Sequence, residues 1–88
     1  MESFNSIYQY EVKDYGKVIV KLSDVLEKHG ITRNRLRTLT GVKYAVIDRY
    51  YKGVNVAMAD LNFLAKVCFV LDCEVGDLLE YIRPDNAN

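Results

Sequence analysis

Several residues that mark particular classes of protein are scarce in this chain of 88 residues. It has no tryptophan, one proline, one histidine and two cysteines. No apolar run approaches the ~20 residues of a membrane-spanning helix. The amino-terminal MESFNSIYQY lacks the basic start and the apolar stretch of a signal peptide. We therefore expect a cytoplasmic protein that makes no contact with a membrane.

The chain also has few residues that could catalyse a reaction or hold a metal ion. Cys68 and Cys73 lie within or beside an apolar segment, which favours buried reduced thiols over a disulfide or a metal site. The lone His29 lies where a helix should end, and a histidine at that position interacts favourably with the helix dipole. There is no glycine-rich phosphate loop and no HExxH motif. We expect no enzyme, no metal, no cofactor and, without an appended sensor domain, no small-molecule effector.

The net charge is zero, which at first argues against nucleic acid, but the charges are unevenly distributed. Residues 32–53 contain six basic residues and one acidic residue, a net of +5. Residues 60–88 contain two basic and six acidic residues, a net of −4. A basic segment backed by an acidic remainder is typical of a DNA-binding module. The alternative is a solvated helix surface whose charges share a sign.

The basic segment has the pattern of two short helices joined by a tight turn. Thr32 is a suitable N-cap for a helix over 33–40, and Gly41 can adopt the positive φ that a sharp turn needs. A second helix is predicted over 43–52, where Gly53 ends it. This spacing predicts a helix-turn-helix, whose second helix usually enters the DNA major groove.

Three further helices are predicted around this pair, near 22–29, 60–71 and 75–81. The pair itself should meet the core through Leu36, Leu39, Val42, Ile47 and Tyr50. The helix over 60–71 carries a broad apolar stripe, so we expect it to be the most buried. Its inward residues are predicted to be Leu61, Leu64, Ala65, Val67, Cys68 and Leu71. The last helix should close the core through Val75, Leu78 and Leu79. Pro84 ends it, and residues 84–88 are expected to form a frayed tail.

Residues 1–20 fit the helical domain least well. Apolar and polar residues alternate over 7–12, a turn signal follows at 14–16, and a β-branched run covers 17–21. One interpretation is a short antiparallel hairpin; the other is an extension in which 18–22 begins the first helix. Because this segment carries more apolar surface than a free tail should expose, we expect it to contribute to a dimer contact.

Five features in a consistent order carry a resemblance to a known family. They are KLSDVLEKHG at 21–30, Leu36 with LTGV at 39–42, the helix end at 47–53, DLNFLAKVCFVLDC at 60–73 and VGDLLEY at 75–81. Over about two-thirds of its length the chain resembles the Cro-type (Xre, lambda-repressor-like) helix-turn-helix family. Arg37 departs from the pattern, which has a small residue there. The resemblance implies an all-α, compact five-helix domain over 21–83 and a function in transcription regulation.

The resemblance also implies which residues of the second helix contact bases: Lys43, Tyr44, Ala45 and Arg49. Lys43 and Arg49 can donate to guanine O6 and N7. Phosphate contacts are predicted from the start of the first helix, where amide groups and the helix dipole favour an anion, and from the end of the second helix. The residues are Thr32, Arg33, Arg35, Lys52 and Asn55. Asp48 can pair with Lys52 at i+4, or with Lys43 or Tyr44.

These observations favour a sequence-specific regulator that binds double-stranded DNA. A homodimer is expected because one such helix reads only a few base pairs and two half-sites multiply the specificity. The alternative is a protein–protein adaptor or antitoxin-like module on the same helical scaffold, because a fold does not decide a function.

Overall fold

A computed structural model describes residues 14–84 of the chain. The elements follow in the order β1 Lys17–Val20, α1 Leu22–His29, α2 Arg33–Thr40, α3 Tyr44–Lys52, α4 Leu61–Leu71, α5 Val75–Leu78 and β2 Leu79–Ile82. The five predicted helices are confirmed, and the first four lie within one residue of their predicted bounds. No helix within residues 14–84 is long and apolar enough to cross a bilayer.

The last helix is shorter than predicted, because the segment 79–82 forms a strand. A capping box between Glu74 and Asp77 starts α5, but the chain turns to extended geometry at Leu79, with φ −131° and ψ 143°. Residues 79–82 then pair antiparallel with β1, Val18 opposite Tyr81 and Val20 opposite Leu79. Tyr81 and Ile82 favour extended geometry, so the ladder to β1 prevails over continuation of a four-residue helix that contains a glycine.

The amino-terminal predictions are confirmed in part. The β-branched run forms β1, so the alternative in which 18–22 begins the first helix is wrong. The other predicted strand, 7–12, lies outside the described residues. Before β1, the Asp14 carboxylate accepts a hydrogen bond from the Gly16 amide at 3.0 Å. Gly16 has φ +81°, and a Cβ there would lie 2.3 Å from the Ile82 carbonyl oxygen, so only glycine fits this turn beside β2.

The helices and the sheet enclose one hydrophobic core. Its buried members are Leu22, Val25, Leu26, Leu36, Ile47, Tyr50, Phe63, Leu64, Val67, Leu71 and Leu78. Helix α4 contributes four of them, more than any other element, but over its 11 residues it is no more buried than α1, which contributes three from eight.

The inward face of α4 differs from the predicted one. Leu61 and Ala65 are exposed, whereas Phe63, which the prediction left out, is buried. Nearly every residue of this helix is apolar, so hydrophobicity alone does not select a face. The side that packs against the core carries 63, 64, 67 and 71, and this turns 61, 65 and 69 toward solvent. Leu39 and Val75 were also predicted to be inward, and both are exposed.

The turn between α2 and α3 is held by local hydrogen bonds. Gly41 has φ 76°, and its amide donates to the Arg37 carbonyl at 2.8 Å. The Thr40 hydroxyl donates to the Leu36 carbonyl and accepts from the Val42 amide. Arg37 is exposed and donates through Nε to the Asn34 side chain at 3.1 Å. Its long side chain therefore lies outside the crossing of the two helices.

Candidate nucleic-acid interface

Helix α3 is amphipathic, with one face buried in the core and the other face exposed. Ile47 and Tyr50 are fully buried in the core. Tyr44, Ala45 and Arg49 are exposed, with Ala45 and Arg49 one turn apart on one face. Lys43, also exposed, occupies the N-cap position. The structure therefore brings the four residues predicted to contact bases to the first two turns of α3, with their side chains open to a ligand.

Tyr50 fixes the carboxyl-terminal half of α3 to α4. Its ring stacks on Phe63 with centroids 4.2 Å apart and planes inclined by 21°. Its hydroxyl accepts a hydrogen bond from the Asp60 amide at 2.9 Å, at the N-cap of α4. A fully buried aromatic side chain that is both stacked and hydrogen-bonded holds the helix in one orientation. The exposed face of α3 is therefore presented by a rigid support.

The amino-terminal end of α2 has the geometry predicted for anion contact. Thr32 is exposed and extended, with φ −81° and ψ 162°, and its hydroxyl accepts from the Arg35 amide at 3.0 Å. This confirms Thr32 as the N-cap. The first amide groups of a helix have no intrahelical partner, and the Thr32 hydroxyl accepts from one of them. The other amide groups of this first turn can still donate to a phosphate oxygen.

A charge cluster joins α2 to α3. The Asp48 carboxylate lies 2.5 Å from an Arg33 guanidinium nitrogen and 3.1 Å from Lys52 Nζ. The hydrogen bond from Lys52 and, secondly, the one from Arg33 hold the pKa of Asp48 below its usual value, although partial burial opposes them. Sequence spacing identifies the pair with Lys52, one helical turn away. It does not identify Arg33, which is 15 residues distant.

Arg33 is drawn toward α3 by aromatic rings as well as by Asp48. Its guanidinium carbon lies 4.1 Å from the Tyr51 ring centroid and 5.9 Å from that of Tyr44. These cation–π distances place Arg33 between the two helices and beside the predicted base contact Tyr44. Among the predicted phosphate contacts, Arg33 and Lys52 thus form ion pairs with Asp48. Arg35 and Asn55 are exposed, and Asn55 has a φ of 59°.

The assembled surface can donate hydrogen bonds to an anion at many points. Within 32–53 the single acid, Asp48, is neutralised by two cations, and four further basic residues, Arg35, Arg37, Lys43 and Arg49, are exposed. In the described part of the chain no cluster of three or more His, Cys, Asp or Glu side chains could hold a metal ion. The surface suits a polyanion that lies along α3 and touches the start of α2.

Comparisons with known proteins agree with this geometry. The model of the Cro/C1-type helix-turn-helix DNA-binding domain family matches residues 21–85. A solved Bacteroides fragilis protein to which DNA binding has been ascribed has the same fold, with a TM-score of 0.63 at 20% identity over 73% of this chain and 100% of that one. The transcriptional regulator VanUg also superposes with a TM-score of 0.63, at 25% identity over 82% of this chain and 93% of its own.

No curated protein sequence matches the chain. The family match nonetheless covers about three-quarters of its length, including both helices of the helix-turn-helix and the whole core. The chain belongs to the Cro/C1-type helix-turn-helix family of DNA-binding domains.

Proposed function

We propose that the chain is a sequence-specific transcriptional regulator that binds duplex DNA as a homodimer, with α3 in the major groove. The observation that carries this proposal is the exposed face of α3 with Lys43, Tyr44 and Arg49, on a helix whose opposite face is locked into the core by Ile47 and Tyr50. A rigid helix that presents donors to the outside is what base reading requires.

Arg49 is the principal base-reading residue in this proposal. It is exposed, and among the described residues no carboxylate forms an ion pair with it. Its guanidinium carbon lies 5.5 Å from the Tyr50 ring centroid, within cation–π distance. An arginine with free donors can bind guanine O6 and N7 with two hydrogen bonds. Lys43 and Tyr44, about one and a half turns earlier, read neighbouring positions, and Ala45 gives apolar contact.

The phosphate contacts come from both ends of the pair of helices. Thr32, Arg33 and Arg35 lie at the start of α2, and Lys52 and Asn55 lie at the end of α3. Asp48 holds Arg33 and Lys52 in fixed positions. These two cations are therefore already ordered when they contact the DNA phosphates. Contacts of this kind fix the register on the duplex without reading its sequence.

Dimerisation follows from the amount of DNA that one copy can read. A single recognition helix contacts only a few base pairs, and two copies related by a two-fold axis read two half-sites about one helical turn apart. A palindromic consensus from selection of bound sequences out of random duplex DNA would support this part of the proposal. A single short half-site would contradict it.

The separate roles of Arg49 and Lys52 are tested by fluorescence anisotropy on the selected duplex and its base-substituted variants. Arg49→Ala should cost about 1–3 kcal/mol and relax the preference at one base position. Lys52→Ala should weaken binding to every duplex about equally and lower the slope of log affinity against log salt by about one. Lys28→Ala, at an exposed position of α1 that shares a groove with Cys73 and Asp77, is the control. If neither Arg49→Ala nor Lys52→Ala changes affinity, α3 does not lie in the groove and the adaptor hypothesis is favoured.

A further inference from the structure

Asp48 is the only acidic residue within 32–53, the segment that contains both helices of the helix-turn-helix. Its carboxylate lies between two cations that come from different helices. One oxygen is 2.5 Å from Arg33 Nη1, at the start of α2, and the other is 3.1 Å from Lys52 Nζ, one turn later on α3. Each carboxylate oxygen therefore has its own cation. We call these three residues the Asp48 cluster.

The Asp48 cluster holds the Arg33 guanidinium at its edge, and Tyr51 holds it at its face. The guanidinium carbon lies 4.1 Å from the Tyr51 ring centroid, which is close cation–π contact. Among the described residues Asp48 alone accepts a hydrogen bond from the Arg33 side chain, and it accepts from Nη1. A guanidinium has five N–H donors. The Arg33 side chain is still 32% exposed, so its remaining donors are open to a phosphate oxygen.

This ordering favours one kind of DNA complex over another. A cation that is already held in place loses little conformational freedom when it makes a direct contact. That gain arises only where a phosphate lies at the position of the held cation, as in a complex with a fixed register on the duplex. Non-specific binding comes from the sequence-independent attraction between the basic surface and the phosphates, and it depends on charge instead of order.

The charge of Asp48 acts against binding to any duplex. The six basic residues of 32–53 would carry a charge of +6, and Asp48 lowers it to +5. The carboxylate therefore weakens the general attraction to DNA. It compensates for this loss only where Arg33 and Lys52 meet phosphates in the positions that it gives them.

We propose that Asp48 is a positioning residue that raises the ratio of specific to non-specific DNA affinity. It acts through Arg33 and Lys52 and touches neither base nor phosphate itself. This inference rests on the proposed function, because it requires these two cations to contact the backbone in the specific complex. Asp48 thereby adds to sequence discrimination from a position outside the base-reading face of α3.

Asp48→Asn tests the proposal, because it removes the charge and keeps the shape of the side chain. Anisotropy titrations compare the selected duplex with a random-sequence duplex of equal length. The variant should bind the random duplex about threefold more tightly and gain nothing on the selected one, so the affinity ratio falls about threefold. Asp48→Glu, which keeps the charge, should bind the random duplex like the wild type. Asp24→Asn, the same substitution at an exposed position of α1, is the matched control and should leave the ratio unchanged.

A second background separates positioning from direct contact. In a chain that carries Arg33→Ala and Lys52→Ala, Asp48→Asn should change the affinity for both duplexes equally, because no held cation remains. Circular dichroism and thermal melting check that every variant is folded.

Two outcomes would overturn the inference alone. One is a ratio that Asp48→Asn leaves unchanged or raises while the wild type retains its sequence preference. The other is the same fall in the ratio with and without Arg33 and Lys52, which would make Asp48 a direct contact. A wild-type chain that binds neither duplex would overturn the proposed function and this inference together, so the two failures are distinguishable.

Discussion

Removal of the Tyr50 hydroxyl should destabilise the domain by the value of one hydrogen bond. Tyr50→Phe keeps the ring, its stacking on Phe63 and its place in the core, and removes only the acceptor for the Asp60 amide. A net contribution of about 1 kcal/mol is expected for such a bond. For a domain of this size that corresponds to a fall in Tm of about 4–8 °C.

The assay is thermal melting followed by circular dichroism, with urea unfolding to give the free energy directly. Tyr44→Phe is the matched control, because Tyr44 is exposed and its hydroxyl makes no hydrogen bond to the described residues. It should change stability by less than about 0.5 kcal/mol. A Tyr50→Phe variant as stable as the wild type would refute the anchoring of α3 to the start of α4 through this hydroxyl.

Two further predictions concern the core and the thiols. Leu64→Ala, at a buried position of α4, should lower the free energy of unfolding, measured in urea, by about 2–5 kcal/mol. Lys66→Ala, on the exposed side of the same helix, should not lower it. Equal effects of the two substitutions would contradict the observed inward face of α4. Burial, assisted by Cys68, Asp77 and Asp72, raises the pKa of Cys73 to about 11, so only about one part in 1,000 is thiolate at pH 8. Alkylation of Cys73, followed by peptide mass spectrometry, should accelerate about tenfold per pH unit up to pH 10. The pKa of Cys73 in the folded protein exceeds its ordinary value of 9.0. The protonated thiol therefore contributes to the stability of the folded state below pH 9, and this contribution is lost as the pH rises through 9 to 11. Rapid alkylation at pH 7 would refute the burial.

Most of the helical fold could be predicted from the sequence, because its boundaries are set by local chemistry. Thr32 caps α2 through its own hydroxyl, and Gly41 and Gly53 end α2 and α3 with positive φ. These signals need no knowledge of the rest of the chain. The bounds of the helix-turn-helix, whose parts lie within 22 consecutive residues, are therefore predicted to within one residue.

The errors arose where distant segments decide the structure. The strand 79–82 forms because β1 lies some 60 residues earlier in the chain and pairs with it, and nothing in VGDLLEYI alone prevents a longer helix. The inward face of α4 depends on which side meets Tyr50 and helix α2, since almost all its residues are apolar. The contact between Arg33 and Asp48 likewise crosses from one helix to the next. Tertiary packing overrides local preference in each case.

The candidate site was only partly predictable for the same reason. Family resemblance and helical position suffice to place Lys43, Tyr44, Ala45 and Arg49 on the exposed side of α3. The orientation of Arg33 is not predictable from the sequence, because the residues that draw it toward α3, Asp48 and Tyr51, lie on the other helix.

The central claim, that the surface of α2 and α3 binds duplex DNA, is tested most directly by the salt dependence of affinity. Each cation that neutralises a phosphate contributes about 0.9 to the slope of log affinity against log salt. With Arg33, Arg35 and Lys52 at phosphates in both copies, the slope for a selected duplex should be roughly −5. Anisotropy titrations of one labelled duplex between 50 and 200 mM salt, about the range over which such contacts are resolved, measure it. A slope near zero, or no binding to any duplex, would contradict the account.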